Sequence, residues 1–193
     1  MDLKGKKIIL GSNSPRRKEL LAGLDIDFTV DTGNNFEEVY DPSTPIERIP
    51  EVLSEGKSYG FHREIADNEI LITSDTLVMC GDRVMGKPRS REEAIDMLQA
   101  LSGRGHKVIT AITLRDTKSC ATSSDTAIVY FKDLSNSEIE YYVDNYKPYD
   151  KAGAYGIQEW IGYAGIGKIE GSYFTIMGLP VHLVYQELSK FIG

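Results

Sequence analysis

The sequence predicts an α/β protein, a mixed twisted sheet with flanking helices, within one domain spanning residues 1–193; two lobes around a central cleft would suit the motifs described below. Three observations predict it. Apolar strand-like runs alternate with segments of helical period. The order is not a clean βαβ alternation, which favours a mixed sheet over an all-parallel one. A chain of 193 residues, 41% hydrophobic and 26% charged, is long enough for one substantial core. No internal repeat, low-complexity tract or Pro/Ser-rich linker divides it.

Each element has a local reason. Ile8, Ile9 and Leu10 form an opening strand, and "SPRRKELLAGL" starts a helix with Ser14 as N-cap and Pro15 in the first position. Gly23 interrupts that helix near its end. "TPIERIPEVLSEGKSYGFH" is helical for part of its length, with Pro50 limiting where the helix begins. "EILITSDTLVM" reads as a buried strand that turns at Cys80-Gly81-Asp82 into a hairpin partner, "RVMGKP". Ser90 and Glu93 form a capping-box pattern before the stripe Ala94, Ile95, Leu98 and Leu101, with Gly103 at the far end. "KVITAITLRD" and "SSDTAIVYFKDL" follow as neighbouring strands. Ser135 and Glu138 make a second capping box, opening a helix that Pro148 ends. "KIEGSYFTIMGLP" reads as a strand and turn, and "HLVYQELSKFI" as a closing amphipathic helix.

Composition narrows the function classes. A net charge of −7 argues against a binder of nucleic-acid backbones, which carries a basic face, but leaves room for a local anion pocket. Two cysteines, Cys80 and Cys120, in neither metal-like nor redox-like spacing point to a reducing compartment. The start "MDLKGKKIILGS" is interrupted too soon for a signal peptide, and no apolar run approaches the roughly 20 residues that cross a bilayer. The expectation is a cytoplasmic protein with no membrane partner. His62, His106 and His182 are scattered and read as structural.

Two arginines at a helix N-terminus are the most informative local oddity. The macrodipole disfavours each cation there by roughly 0.3–1 kcal/mol. With the free amides of the first turn, Ser12, Ser14, Arg16 and Arg17 would make an anion site, because charged hydrogen bonds of about 1.5–3 kcal/mol outweigh that penalty. Read alone, the pair also fits arginines splayed into solvent or paired with Glu19. The spacing is not that of a P-loop.

Asp75 ends the apolar run "ILITS", as a turn cap or as a buried functional carboxylate at a strand's end. Lys87 in "MGKP" is a surface lysine or one returned to the same place by the hairpin. Glu37 and Glu38 form a solvated acidic loop or, as hard carboxylates, hold Mg²⁺ beside substrate phosphates. In "KAGAYGIQEW" the small residues Ala152, Gly153, Ala154 and Gly156 admit a ligand close to the backbone, and Gln158 offers a donor and acceptor to a base edge.

Together "LGSNSPRRKELL", "SDTLVMCGDRVMGKPRSREEAIDMLQALSGRGHKVITAITL", "YYVDNYKPYDKAGAYGIQ" and "IEGSYFTIMGLP" resemble the Maf family of nucleoside triphosphate pyrophosphatases, in family order from about Ile8 to Leu188. The resemblance implies a two-lobed fold similar to inosine triphosphate pyrophosphatases. It implies hydrolysis of a nucleoside triphosphate to monophosphate and pyrophosphate with a divalent cation, Mg²⁺ or Mn²⁺. Asp75 falls on the family's acid/base aspartate, and Ser12, Arg16 and Arg17 on its phosphate loop. Lys57 and Lys87 fall on two pocket lysines, and Glu38 on a carboxylate near the metal that Asp75 helps to hold. Arg16, Thr76 and Gln158 carry the pattern of the branch acting on dTTP and UTP. The branch acting on 7-methyl-GTP differs around the glutamine. A homodimer is implied only by family likeness. The alternatives are a nucleotide-binding regulator of septum formation and a pyrophosphatase of other base specificity. The chain departs from the family pattern at Gly11 and Ser74, both usually alanine, and at Gly56, which weakens the helix carrying Lys57.

Overall fold

A computed structural model describes residues 1–193. Its elements run β1 (Lys7–Leu10), α1 (Pro15–Ala22), β2 (Phe28–Val30), α2 (Ile49–Tyr59), β3 (Glu69–Cys80), β4 (Arg83–Met85), α3 (Arg91–Leu101), β5 (Gly105–Arg115), β6 (Cys120–Phe131), α4 (Asn136–Tyr146), α5 (Trp160–Gly165), β7 (Ile166–Glu170), α6 (Tyr173–Met177) and α7 (Val181–Ile192). The strands form one mixed sheet in the order β2-β1-β3-β5-β6-β7, with β4 paired to β3. β1 runs parallel to both β2 and β3, whereas β3–β4 and β6–β7 are antiparallel. The mixed α/β expectation holds. No helix is long and apolar enough to cross a membrane.

The chain divides into two compact units. The first comprises Met1–Asp75, Thr110–Asp125 and Gly178–Gly193. Its core is laid down by β1 and the first half of β3, where Ile8, Ile9, Leu10, Ile70, Leu71 and Ile72 are almost wholly buried. α1 starts as its sequence dictates: Ser14 Oγ accepts from the Arg17 N–H, and Pro15 occupies the first turn. α2 begins at Ile49, after a 3₁₀ turn over Ile46–Arg48, with Pro50 placed where its missing N–H costs nothing. A buried hydroxyl network pins it. Ser54 Oγ donates to the Thr73 carbonyl at 3.2 Å, Thr73 Oγ1 donates to the Ser54 carbonyl at 2.7 Å, and Thr113 Oγ1 donates to Ser54 Oγ at 3.0 Å.

The second unit comprises Thr76–Ile109 and Thr126–Met177. Here α3 buries Ala94, Met97, Leu98 and Leu101, and α4 buries Ile139, Tyr142 and Val143. The capping box of α4 forms as the sequence predicts. That of α3 does not close. Ser90 Oγ accepts from the Glu93 N–H at 3.2 Å, but the Glu93 carboxylate reaches past Ser90 to the Arg89 N–H at 2.7 Å. "SYFTIM", expected as part of a strand and turn, instead supplies α6, while only "IGKIE" is strand.

Candidate active site

Six of the expected residues, Ser12, Arg16, Arg17, Glu38, Lys57 and Asp75, lie in the first unit. β1 delivers the chain to Gly11, whose N–H bonds the Ile72 carbonyl at 2.9 Å. A β-carbon at Gly11 would stand 3.0 Å from the Thr73 methyl, so glycine suits the threonine beside it. Ser12 is buried, and its Oγ accepts from the Ser14 N–H at 3.2 Å and from Arg17 at 3.4 Å.

Arg17 turns inward. Its Nε donates to the Gly178 carbonyl at 2.8 Å and one terminal nitrogen to the Ser74 carbonyl at 2.9 Å. The guanidinium therefore staples the loop after β1 to the middle of β3 and to the segment before α7. Gly178 sits at φ 109°, a conformation that favours glycine, and its carbonyl also accepts from Ser74 Oγ at 3.2 Å. Ser74 thus adds a second donor to the same oxygen. Burial lowers the Arg17 pKa, while the charges of Asp75 and Glu38 raise it and Arg16 lowers it further. Arg16 is half-buried on the same turn of α1.

Lys57 occupies the last turn of α2, one turn beyond the pinned Ser54. Its ammonium lies 2.6 Å from Asp75 Oδ1 and 2.7 Å from Glu38 Oε1. Gly56 does not loosen this arrangement. A β-carbon there would meet the Phe36 ring at 2.3 Å, so the glycine is the seat for Phe36. Asn34 Nδ2 donates to the Lys57 carbonyl at 2.6 Å, and the Asn35 N–H to the Gly60 carbonyl at 2.8 Å. The loop bearing Glu38 is docked on α2 by these contacts. Glu37 and Glu38 are both exposed, but only Glu38 is turned onto Lys57.

The donor set fits a divalent cation. Lys57 is itself a cation shared by two hard carboxylates, Asp75 and Glu38. No cluster of three or more His, Cys, Asp or Glu is present, so the remaining ligands of a Mg²⁺ ion would be water and phosphate, its usual mode.

In the second unit Thr76 is half-buried on β3, and Lys87 is exposed two residues after β4. The Gly153 N–H donates to the Gly86 carbonyl at 3.1 Å, which ties the Lys87 loop to the "AGAYG" segment. Small residues there are packed closely within the protein. Gly153, at φ 71°, has Val78 against it, a Gly156 β-carbon would crowd Lys151 and Glu159, and Ala154 is wholly buried. Tyr155 is buried, with its hydroxyl 2.7 Å from His106 Nε2.

Gln158 follows in a turn closed by the Glu159 N–H on the Gly156 carbonyl at 3.0 Å, and its Oε1 is buried with no hydrogen-bond partner. Of the histidines, His106 is buried and stacks on Phe131, His62 pairs with Asp31, and His182 lies 3.8 Å from Asp125. Both cysteines are free.

Sequence reasoning missed the carbonyls that fix Arg17, and also Phe36, Tyr142, Lys151 and Glu159. Only the glycines at positions 56, 156 and 178 gave a signal, as marks of close approach or unusual backbone.

A mixed α/β fold with a lysine bridging two carboxylates beside an arginine-bearing helix start defines a candidate phosphate-handling enzyme. The chain belongs to the Maf-like protein family, whose pattern matches residues 7–191. A protein of Parabacteroides distasonis called dTTP/UTP pyrophosphatase is 50% identical over 98% of each chain. Proteins with the same name from Porphyromonas gingivalis and Flavobacterium johnsoniae are 46% and 44% identical, over 98% of this chain and 96% and 97% of theirs. Among solved structures, a HAM1 protein from Coxiella burnetii covers 65% of this chain and 73% of its own at 15% identity, with a TM-score of 0.41.

Proposed function

We propose that this chain hydrolyses dTTP and UTP to the monophosphate and pyrophosphate, acting as a single domain over residues 1–193. The observation that carries the proposal is the Lys57 ammonium held between Asp75 and Glu38, in a chain whose near-full-length relatives bear that enzyme name.

Asp75 accepts a proton from the water that attacks the α-phosphorus. The new bond joins that water's oxygen to phosphorus, and the bond to the bridging oxygen breaks. The electron pair leaves with pyrophosphate. Lys57 holds one oxygen of Asp75, which orients the carboxylate. Arg16, Lys57 and Lys87 supply positive charge toward the leaving group, the dominant kind of stabilisation in phosphoryl transfer. Arg17 contributes charge and, through its two carbonyl acceptors, the shape of the loop containing Ser12. Asp75 and Glu38 would hold Mg²⁺ or Mn²⁺, which supplies neutralisation of phosphate charge when bound.

Thr76 and Gln158 are assigned to nucleotide recognition. Thymine and uracil share an N3–H donor beside a carbonyl acceptor, and the Gln158 carboxamide is complementary to that pair. Its unpartnered buried oxygen supports this assignment. A site built around such hydrogen bonds rejects analogues that leave them unmade.

The reading includes a cytoplasmic location, supported by the unpaired thiols, and a homodimer, which sedimentation of the purified chain tests. The function is tested by incubation of dTTP, UTP, CTP and GTP with Mg²⁺ and with Mn²⁺. Pyrophosphate from the first two in preference to the others is expected. Orthophosphate with nucleoside diphosphate would contradict it.

A further inference from the structure

We infer that Tyr142, Glu159 and Lys151 form a clamp that positions Gln158 and so sets pyrimidine discrimination. The inference rests on the assignment of Gln158 to base recognition.

Gln158 lies inside the four-residue turn Gly156–Glu159, with Ile157 beside it. One side chain holds both ends of that turn. The Tyr142 hydroxyl accepts from the Gly156 N–H at 3.0 Å and donates to Glu159 Oε2. The other carboxylate oxygen, Oε1, pairs with Lys151 Nζ at 3.0 Å, and Lys151 also binds Asp150 at 2.8 Å. Tyr142 has no exposed surface and Lys151 is 7% exposed. Burial, then the neighbouring Glu159, pushes the Tyr142 phenol well above its ordinary pKa, so it stays protonated and keeps donating.

A buried tyrosine and lysine are costly features for an ordinary surface turn. A solvated lysine satisfies itself in water, and a buried ion pair does not by itself argue for stability. The four groups Tyr142, Gly156, Glu159 and Lys151 instead hold the turn on both sides of Gln158, at Gly156 and at Glu159. The consequence is chemical. Cytosine presents the donor and acceptor of uracil in reversed order, so a carboxamide free to turn over serves both bases. Discrimination needs the carboxamide carried from one fixed place so that a base can meet it in one register, and the clamped turn supplies that anchor. Gly156 completes the device, because a β-carbon there would lie 3.0 Å from Glu159 and 3.1 Å from Lys151.

The test compares kcat/KM for dTTP and dCTP in wild type, Tyr142→Phe, Glu159→Gln, Gln158→Ala and the double variant Tyr142→Phe with Gln158→Ala. Melting curves accompany each, and Tyr142→Phe keeps the ring that packs on Tyr146. The clamp predicts that Tyr142→Phe and Glu159→Gln lower the dTTP-over-dCTP ratio about tenfold, mainly through KM. It also predicts that the double variant loses no more than Gln158→Ala alone. An unchanged ratio in both clamp variants, or additive losses in the double variant, would overturn it. If Gln158→Ala alone leaves the ratio untouched, the assignment of Gln158 fails, and the clamp fails with it. A clamp that fails while Gln158→Ala still lowers the ratio leaves that assignment standing.

Discussion

Lys57 and Asp75 meet at 2.6 Å, and neither would be placed without a contact that is far away in sequence. Lys57 depends on Ser54 hydrogen-bonding Thr73, the residue two before Asp75 on β3. The helix and the strand are thus locked two residues from the proposed base. Asp75→Asn is expected to lower kcat by roughly 10²–10⁴-fold, the usual worth of a general base, while nucleotide binding persists. Turnover at the wild-type rate, followed by pyrophosphate release, would remove Asp75 from the chemistry.

The two arginines of α1 separate cleanly. Arg17 donates to the Ser74 and Gly178 carbonyls, so Arg17→Met is expected to destabilise the fold by about 1–3 kcal/mol in urea unfolding, because both carbonyls lose a charged donor and Gly178 keeps only Ser74 Oγ. Arg16→Met is expected to cost less stability than Arg17→Met and to raise KM. Equal losses of stability would contradict this division.

Gly56→Ala sets helix propensity against packing. Propensity alone favours alanine by about 1 kcal/mol. The new methyl would strike the Phe36 ring at 2.3 Å, and overpacking of this kind costs about 1–3 kcal/mol. A net loss in stability is expected, with faster proteolysis of the loop over residues 31–45 and a lower kcat/KM through Glu38. A variant more stable than wild type with full activity would show that Phe36 does not seat the loop.

His106 predicts a pH dependence. Burial depresses its pKa to about 4, against an ordinary value of 6.5, so the native ring is neutral. The unfolded chain takes up the proton first as pH falls. The stability from this group is therefore complete above pH 6.5 and is lost as pH falls toward 4, by an amount on the order of 3 kcal/mol. His106→Gln, which retains a partner for the Tyr155 hydroxyl, should flatten the unfolding free energy between pH 6.5 and 4.5. An unchanged slope would show that other groups set it.

What was legible in the chain was what local chemistry decides. Ser14, Ser135 and Pro50 fix helix starts within a few residues of themselves, so those boundaries are readable. β2 is only three residues long, with none of them buried, and α5 is six residues without a capping side chain, so neither carries a pattern to read. The site divides the same way. Arg16, Arg17, Asp75 and Gln158 stand out by motif, but the inward turn of Arg17 depends on Gly178, 161 residues away. Likewise Phe36 on Gly56 and Tyr142 on Glu159 are tertiary pairings with no sequence period. Ser90 shows that even a local motif can reach one residue further than its rule.

The account stands most directly on the bond that breaks. Wild type and Asp75→Asn, incubated with dTTP and Mg²⁺ and followed by ³¹P NMR, give the decisive measurement. Pyrophosphate and dTMP in equal amounts from wild type, with almost none from the variant, is the expected result. Orthophosphate with dTDP, or equal turnover by both proteins, would contradict the claim that Asp75 directs water to the α-phosphorus.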